Sequence, residues 1–237
     1  MKKVAICLKG AVGKKGGNHE RFYNKNDLYK KGDYVDYVSV RDSIIKHIVD
    51  PNKDEFDFDF FLHSWNVDLE DEMVGIYTPQ KFLFEDNNIY NDKIGSVITK
   101  PTDFGGVSGS LSMKKSLELK ESHEIDHSFK YDMVIVYRYD VLLWKNIILN
   151  NYNVNNNIYV NAWDGSCNAD YHFIMSNDNA FNFKYLFDSV YNHKNQHKFH
   201  HWIKNYIVNI MKCHLVEDEI RVGLHQEHLR VLYNKKK

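Results

Sequence analysis

Proline is scarce, 3 in 237 residues, so few points along the chain forbid helix or strand on steric grounds. Cysteine is equally scarce. Cys7, Cys167 and Cys213 are odd in number, far apart and without a CxxC pair, which argues against a disulfide framework and a zinc ribbon and leaves free thiols of a reducing compartment. No apolar run approaches the roughly 18 residues that a membrane span needs. The opening MKKVAICLKG has two lysines and then a short apolar run, too short for the core of a signal peptide, so the expectation is a soluble, cytoplasmic chain. An excess of either charge is missing too. Lys and Arg number 31 against 32 Asp and Glu, a net charge of -1, so the broad basic field of a non-specific nucleic-acid binder is absent and no nucleic-acid partner is expected. A local basic patch stays open.

Several catalytic signatures are also absent. The glycine stretch KGAVGKKGG is followed by no Gly-Lys-Ser/Thr and does not fit GxGxxG, which excludes a Walker A loop and the dinucleotide fingerprint. No GxSxG elbow occurs, and no cysteine stands in a recognisable nucleophile setting, so covalent hydrolase chemistry has little support.

What is present is a globular composition, 43% hydrophobic and 14% aromatic, read as one domain over residues 1–237. Val4 to Leu8 is an apolar run closed by glycines, the pattern of a buried parallel strand feeding a loop. Val40, Ile44 and Ile48, four apart, predict a helix over about 34–49 that Pro51 ends. FDFDFFLHSW predicts a second strand, MVIVY a central one, and NIYVNA and YHFIMS two more. Residues 68–106 read as irregular structure with short strands, and 108–121 as a helix. Phe183, Leu186, Phe187 and Val190 share a helical face, as do Ile203, Ile207, Ile210 and Met211, so the C-terminal third is expected to be mostly helical. Strands alternating with helices predict an α/β fold with helices on both faces of the sheet, and ligands then gather at the carboxyl ends of the strands.

That rule directs attention to the ends of those strands. YDMVIVYRYDVLLW places Arg138 and Asp140 where an uncharged strand ends. An aspartate there can hold Mg²⁺ or Mn²⁺, and an arginine offers planar donors to phosphate; an ordinary ion pair or helix cap is the competing reading. The glycine stretch can wrap a phosphate with backbone N–H groups, with Lys9, Lys14 or Lys15 adding charge, or be a plain surface turn. NAWDGSCNADYHF carries Asp164 and Asp170, of which Asp164 also fits an Asp-Gly turn. HKNQHKFHH brings His197 and His201 to zinc-ligand spacing, although a solvated lysine-flanked surface explains it as well. His225, late in the chain, is a candidate to complete a metal shell or a satisfied surface histidine. Trp65 and Trp163 sit at two strand mouths, suited to a base or sugar ring or to core packing.

Taken in order, VAICLKGAVG, FDFFLHSWN, YDMVIVYRYDVLL and ADYHFIMSN resemble segments of small GT-A-type glycosyltransferases encoded by large DNA viruses and of related bacterial sugar transferases. The likeness spans roughly residues 3–180 and implies a GT-A-like, Rossmann-like, mostly parallel mixed sheet with a helical C-terminal part. It implies a donor nucleotide sugar, UDP-linked by preference, a glycan or glycoprotein acceptor, and Mn²⁺ or Mg²⁺ at the diphosphate. By that resemblance Asp140 binds the metal and Arg138 fixes the donor. Lys9, Gly10 and Gly13 line the nucleotide, His63 and Trp65 shape the donor pocket, and Asp170 approaches the acceptor. From the residue reading alone, Asp164 is a second catalytic candidate and His225 a second metal ligand. A viral member would work in the host cytoplasm. Arg138 stands where a D-x-D has its first acid, and Ala169 where an acidic pair would begin. These departures keep a second expectation in play, a sugar-binding or interaction module on the same fold without turnover. A metal-dependent nuclease or phosphatase would want clustered carboxylates, and the sequence scatters them.

Overall fold

Strand β1, Lys2–Lys9, shows why its residues alternate only in size: Val4, Ile6 and Leu8 face one side and Ala5 and Cys7 the other, all at 0% exposure. A strand covered on both faces belongs inside a parallel sheet. Burial pushes the Cys7 thiol up to about 12, which leaves it an inert packing group. These features come from a computed structural model, which describes residues 1–12, 36–98, 104–143, 145–162, 170–192 and 199–221.

Helix α1, Tyr37–Ile44, starts on Asp36, whose carboxylate accepts the Ser39 amide at 3.0 Å, and runs into a π-helical turn at Ile45–Val49. Val40, Ile44 and Ile48 are fully buried, as their spacing requires. Strand β2 is Phe56–Ser64, helix α2 Glu70–Tyr77, strand β3 Lys81–Phe84 and helix α3 Asn91–Gly95. The described part of residues 68–106 is therefore more regular than its sequence suggests. In α2 the buried face consists of Met73 and Tyr77, one turn apart, too short a period to stand out. Helix α4, Phe104–His127, exceeds the expected 108–121 at both ends. Its buried face includes Ser108, Ser110, Ser112 and Ser116, which dilute the apolar pattern; Ser110 and Ser116 donate back to the carbonyls of Val107 and Met113.

Strand β4 is Met133–Arg138, β5 Asn157–Ala162 and β6 His172–Ser176. Three short helices follow: α5, Asn177–Phe183, α6, Leu186–Asn192, and α7, Phe199–Asn205. A π-helical turn at Tyr206–Ile210 then takes in an extra residue. Ile203 and Ile207 stay buried, but Ile210 is carried off their face to 46% exposure, contrary to the 3.6-residue reading. The chain next enters β7, His214–Arg221, so the C-terminal third is not helical throughout. HLVEDEIR carries its charges on an edge strand, where the apolar alternation is weakest.

Among the described residues, seven strands lie in the order β3-β2-β1-β4-β6-β5-β7. β6 runs antiparallel to β4 and to β5, and the other pairs are parallel, which gives the expected α/β, Rossmann-like, mostly parallel mixed sheet. One apolar cluster holds α1, α2 and the segment after β4 against one face; the other holds α4 to α7 against the opposite face. No described helix is long and apolar enough to cross a membrane.

Candidate functional site

From β1 the chain builds outward through β2 to β3, then crosses back to lay β4 on the other flank of β1. Such a reversal opens a crevice at the carboxyl ends of the two strands, the usual ligand position in open α/β sheets. Lys9 and Arg138 end β1 and β4 and are register partners there. Asp140 follows two residues on. Asp170 precedes β6, which runs against β4, so it arrives at the same edge.

The four side chains form one continuous charge array. Arg138 grips Asp140 with both arms of its fork, Nε to Oδ1 at 2.8 Å and Nη2 to Oδ2 at 2.6 Å. Its Nη1 donates to Asp170 Oδ1 at 3.0 Å, and Lys9 Nζ donates to Asp170 Oδ2 at 2.9 Å. Lys9 is 3% exposed, whereas the side chains of Arg138 and Asp140 are each 25% exposed, so the array opens to solvent at its Arg138–Asp140 end. Burial opposes the guanidinium charge, but Asp140 and Asp170 outweigh it and raise Arg138 above its ordinary value. For Lys9 burial wins and holds the ammonium below its usual value, against the pull of Asp170. Gly109 of α4 faces the array; a Cβ there would lie 3.8 Å from both Lys9 Nζ and Asp170 Oδ2.

Beside the array a second network fixes the turn after β1. Gly10 sits at φ +98, a conformation that suits glycine, and its amide donates to Ser112 Oγ at 2.6 Å. The Val12 amide donates to Asn66 Oδ1 at 2.8 Å. Both amides are thus spent inside the protein rather than offered to a phosphate. Ser112 Oγ also meets His63 Nδ1 at 2.7 Å, and His63 Nε2 meets Glu85 Oε1 at 3.0 Å. Burial pushes His63 down to about 4, so at neutral pH the ring is uncharged: Nε2–H donates to the carboxylate and Nδ1 accepts from the serine hydroxyl. Burial raises Glu85, but its bonds to Lys115, His63 and Tyr90 outweigh that and hold it below its ordinary value. Trp65 packs edge-on against His63 at 4.5 Å and at a tilt of 57° against Tyr90 at 5.6 Å, and its indole N–H has no hydrogen-bond partner.

Acid sensitivity follows from this network. Between pH 6.5 and about 4 the unfolded chain protonates His63 while the folded chain refuses the proton, so stability falls as pH falls. Glu85, depressed in the fold, loses stability in the same direction below its ordinary value. The His63 share is about 3 kcal/mol. Urea midpoints measured from pH 7 to pH 4 should drop steeply in the wild type and less in His63→Gln; equal slopes would clear His63 of the effect.

Of the sequence candidates, the fold brings Lys9, Gly10, His63, Trp65, Arg138, Asp140 and Asp170 to one edge of the sheet. Gly13, Lys14, Lys15, Trp163, Asp164, Ala169, His193, His197 and His225 lie outside the described residues. His201 is an exposed residue of α7. Ser112, Glu85 and Asn66 escape a sequence reading, since a serine among many on one helix and an acid after a short strand carry no signal of their own. As for a divalent cation, no group of three His, Cys, Asp or Glu side chains among the described residues is arranged to hold one. Both Asp140 oxygens are engaged by Arg138, so the described donor set does not fit a resident metal.

No protein-family model and no curated protein sequence matches the chain. Among solved structures, the nucleoside-diphosphate-sugar pyrophosphorylase from Vibrio cholerae RC9 is similar at a TM-score of 0.46 and 9% identity, covering 98% of this chain and 100% of that one. Nothing about function follows from a likeness at that level.

Proposed function

We propose that the protein is a glycosyltransferase that moves a sugar from a nucleoside-diphosphate donor, UDP-linked by preference, to a glycan or protein-linked acceptor. The observation that carries this reading is the Lys9–Asp170–Arg138–Asp140 array at the mouth of β1 and β4. Departure of a nucleoside diphosphate builds negative charge on phosphate, and a guanidinium presents planar, paired donors to phosphate oxygens. Two carboxylates and a packed neighbour hold Arg138 in place before any ligand arrives: its guanidinium carbon lies 5.0 Å from the centre of the Tyr171 ring. A donor so fixed stabilises the developing charge without reorganising. In this reading Trp65 supports the donor and Asp170 faces the acceptor. A cation such as Mn²⁺ would have to come with the diphosphate and open the Arg138 fork, so the first hold on the diphosphate is assigned to Arg138.

One observation favours the second reading, a nucleotide-sugar-binding module without turnover. Each of the four oxygens of Asp140 and Asp170 already accepts from Arg138 or Lys9, and a general base needs one of them released.

A thermal-shift screen of UDP, GDP and their sugars, with and without Mn²⁺, tests both. Binding at a hundred times Kd adds about 2.7 kcal/mol, several degrees for a chain of this length. A shift in the wild type that disappears in Asp140→Ala supports the site; an unchanged shift removes Asp140 from it. Slow release of free sugar from the bound donor separates transferase from module. No shift with any nucleotide at millimolar concentration overturns the proposal.

A further inference from the structure

One level below the strand mouth, a row of polar side chains crosses four neighbouring strands: Tyr137 on β4, His172 on β6, Asn161 on β5 and Asp218 on β7. Tyr137 is the register partner of His172, and Asn161 that of Asp218. The His172 amide lies 3.5 Å from Asn161 Oδ1, which joins the two halves of the row. Strand parity puts His172 on the face of Ile174 and Asn161 on that of Tyr159, the face covered by α1 and the segment after β4. The rings of Tyr137 and His172 lie nearly parallel, 14° apart with centroids at 6.3 Å.

The two ends of this row are bonded, the Tyr137 hydroxyl donating to the Val141 carbonyl at 3.1 Å and Asp218 accepting from Tyr152, but its middle is not. His172 and Asn161 are 0% exposed, yet neither ring nitrogen of His172 nor the amide nitrogen of Asn161 has a hydrogen-bond partner. Buried polar groups are paired in the large majority of cases, and leaving them unpaired is costly. His172 Nε2 faces Asp218 Oδ2 at 3.5 Å, and the Tyr152 hydroxyl donates to the same oxygen at 2.7 Å. Asp218 is also part of the wall of a 440 Å³ cavity, lined further by Lys145, Asn146, Asn151, Tyr152 and Glu217.

The lining restricts what fits. Two carboxylates against one lysine disfavour an anion, and among the described residues there is no three-ligand group for a metal ion. Amides, carboxylates and a phenol match vicinal hydroxyls, which donate to carboxylate oxygens and accept from N–H groups. Tyr152 and Tyr159, in edge contact at 4.8 Å, add aromatic surface beside them. We propose that this cavity is a second binding site, for a neutral polyhydroxylated ligand of the sugar class, with Asp218 as its main polar anchor and His172 and Asn161 supporting that wall from behind. The site stands whether or not the strand mouth takes a nucleotide sugar.

Saturation-transfer NMR of the full chain with a panel of free mono- and disaccharides, in metal- and nucleotide-free buffer, tests it. At least one sugar should show saturation that weakens tenfold or more in Asp218→Asn and falls in Tyr152→Phe, a milder change that removes only the hydroxyl, while Asp140→Ala leaves it intact. No saturation from any sugar overturns the proposal, as does saturation in both cavity variants equal to that of the wild type. Loss in Asp140→Ala with retention in Asp218→Asn would put the sugar at the strand mouth and overturn it as well. Nucleotide binding is read separately by thermal shift, so failure at one site is distinguishable from failure at the other.

Discussion

Asp170→Asn is expected to cost the fold about 3–5 kcal/mol at neutral pH, the scale for removing one partner of a buried ion pair. The carboxylate compensates two cations at once, Lys9 at 2.9 Å and Arg138 at 3.0 Å, and its own side chain is only 10% exposed. At roughly 2–4 °C per kcal/mol for a chain of this length, the melting temperature should fall on the order of 10 °C. The pH dependence identifies the cause. Burial already holds Lys9 below its usual value with Asp170 present, so without that carboxylate the ammonium sheds its proton at a lower pH still. Raising the pH toward 10 neutralises the lysine of the unfolded chain too, so the gap between variant and wild type should narrow. Urea titrations at pH 7 and pH 9.5 check this. A cost under about 1 kcal/mol at pH 7 would mean the pair is screened by solvent. A large cost that ignores pH would point to lost packing instead.

The second large effect is expected on ligand affinity. Arg138→Gln should weaken nucleoside-diphosphate binding about 100-fold or more, since each bond from a charged donor contributes about 1.5–3 kcal/mol and the fork supplies two. Arg138→Lys keeps the charge but not the fork, and should restore less than tenfold of that loss. Isothermal titration with UDP, alongside melting curves, separates affinity from stability. The fold should tolerate Arg138→Gln better than Asp170→Asn, because the Asp140 it unpairs is 25% exposed and Asp170 keeps Lys9. Unchanged affinity in Arg138→Gln would remove the array from ligand binding altogether.

How far these results were legible in the sequence differs from element to element. The three central strands were plain, because β1, β2 and β4 carry uninterrupted or alternating apolar runs that a two-faced sheet demands. The α1 face was equally plain from Val40, Ile44 and Ile48. The ends of α4 were not: Gly105-Gly106 reads as a turn at one end, and Ser122–His127 is largely polar and carries little apolar pattern at the other. Edge strand β7 was hidden because its acidic residues look like surface until Asn161 and Asp218 are seen in register. On the face of Ile203, Ile207, Ile210 and Met211 only Ile210 departs, for a local reason, a π-helical turn that changes the period.

At the site, the sequence by itself determined the ingredients. A strand without charge that ends in Arg138 and Asp140, a glycine turn after β1 and an aspartate before β6 already pointed to the carboxyl edge of an α/β sheet. Only the tertiary structure decided how they combine. The reversal of strand order at β1 sets Lys9 beside Arg138, and the antiparallel course of β6 returns Asp170 between them. The same folding draws Ser112, His63 and Glu85 from three distant segments into one relay beneath Gly10. Such partners are 22 to 161 residues apart in the chain. Local sequence governs backbone preference over a few residues, whereas charge pairing at this range is settled by which strands lie side by side.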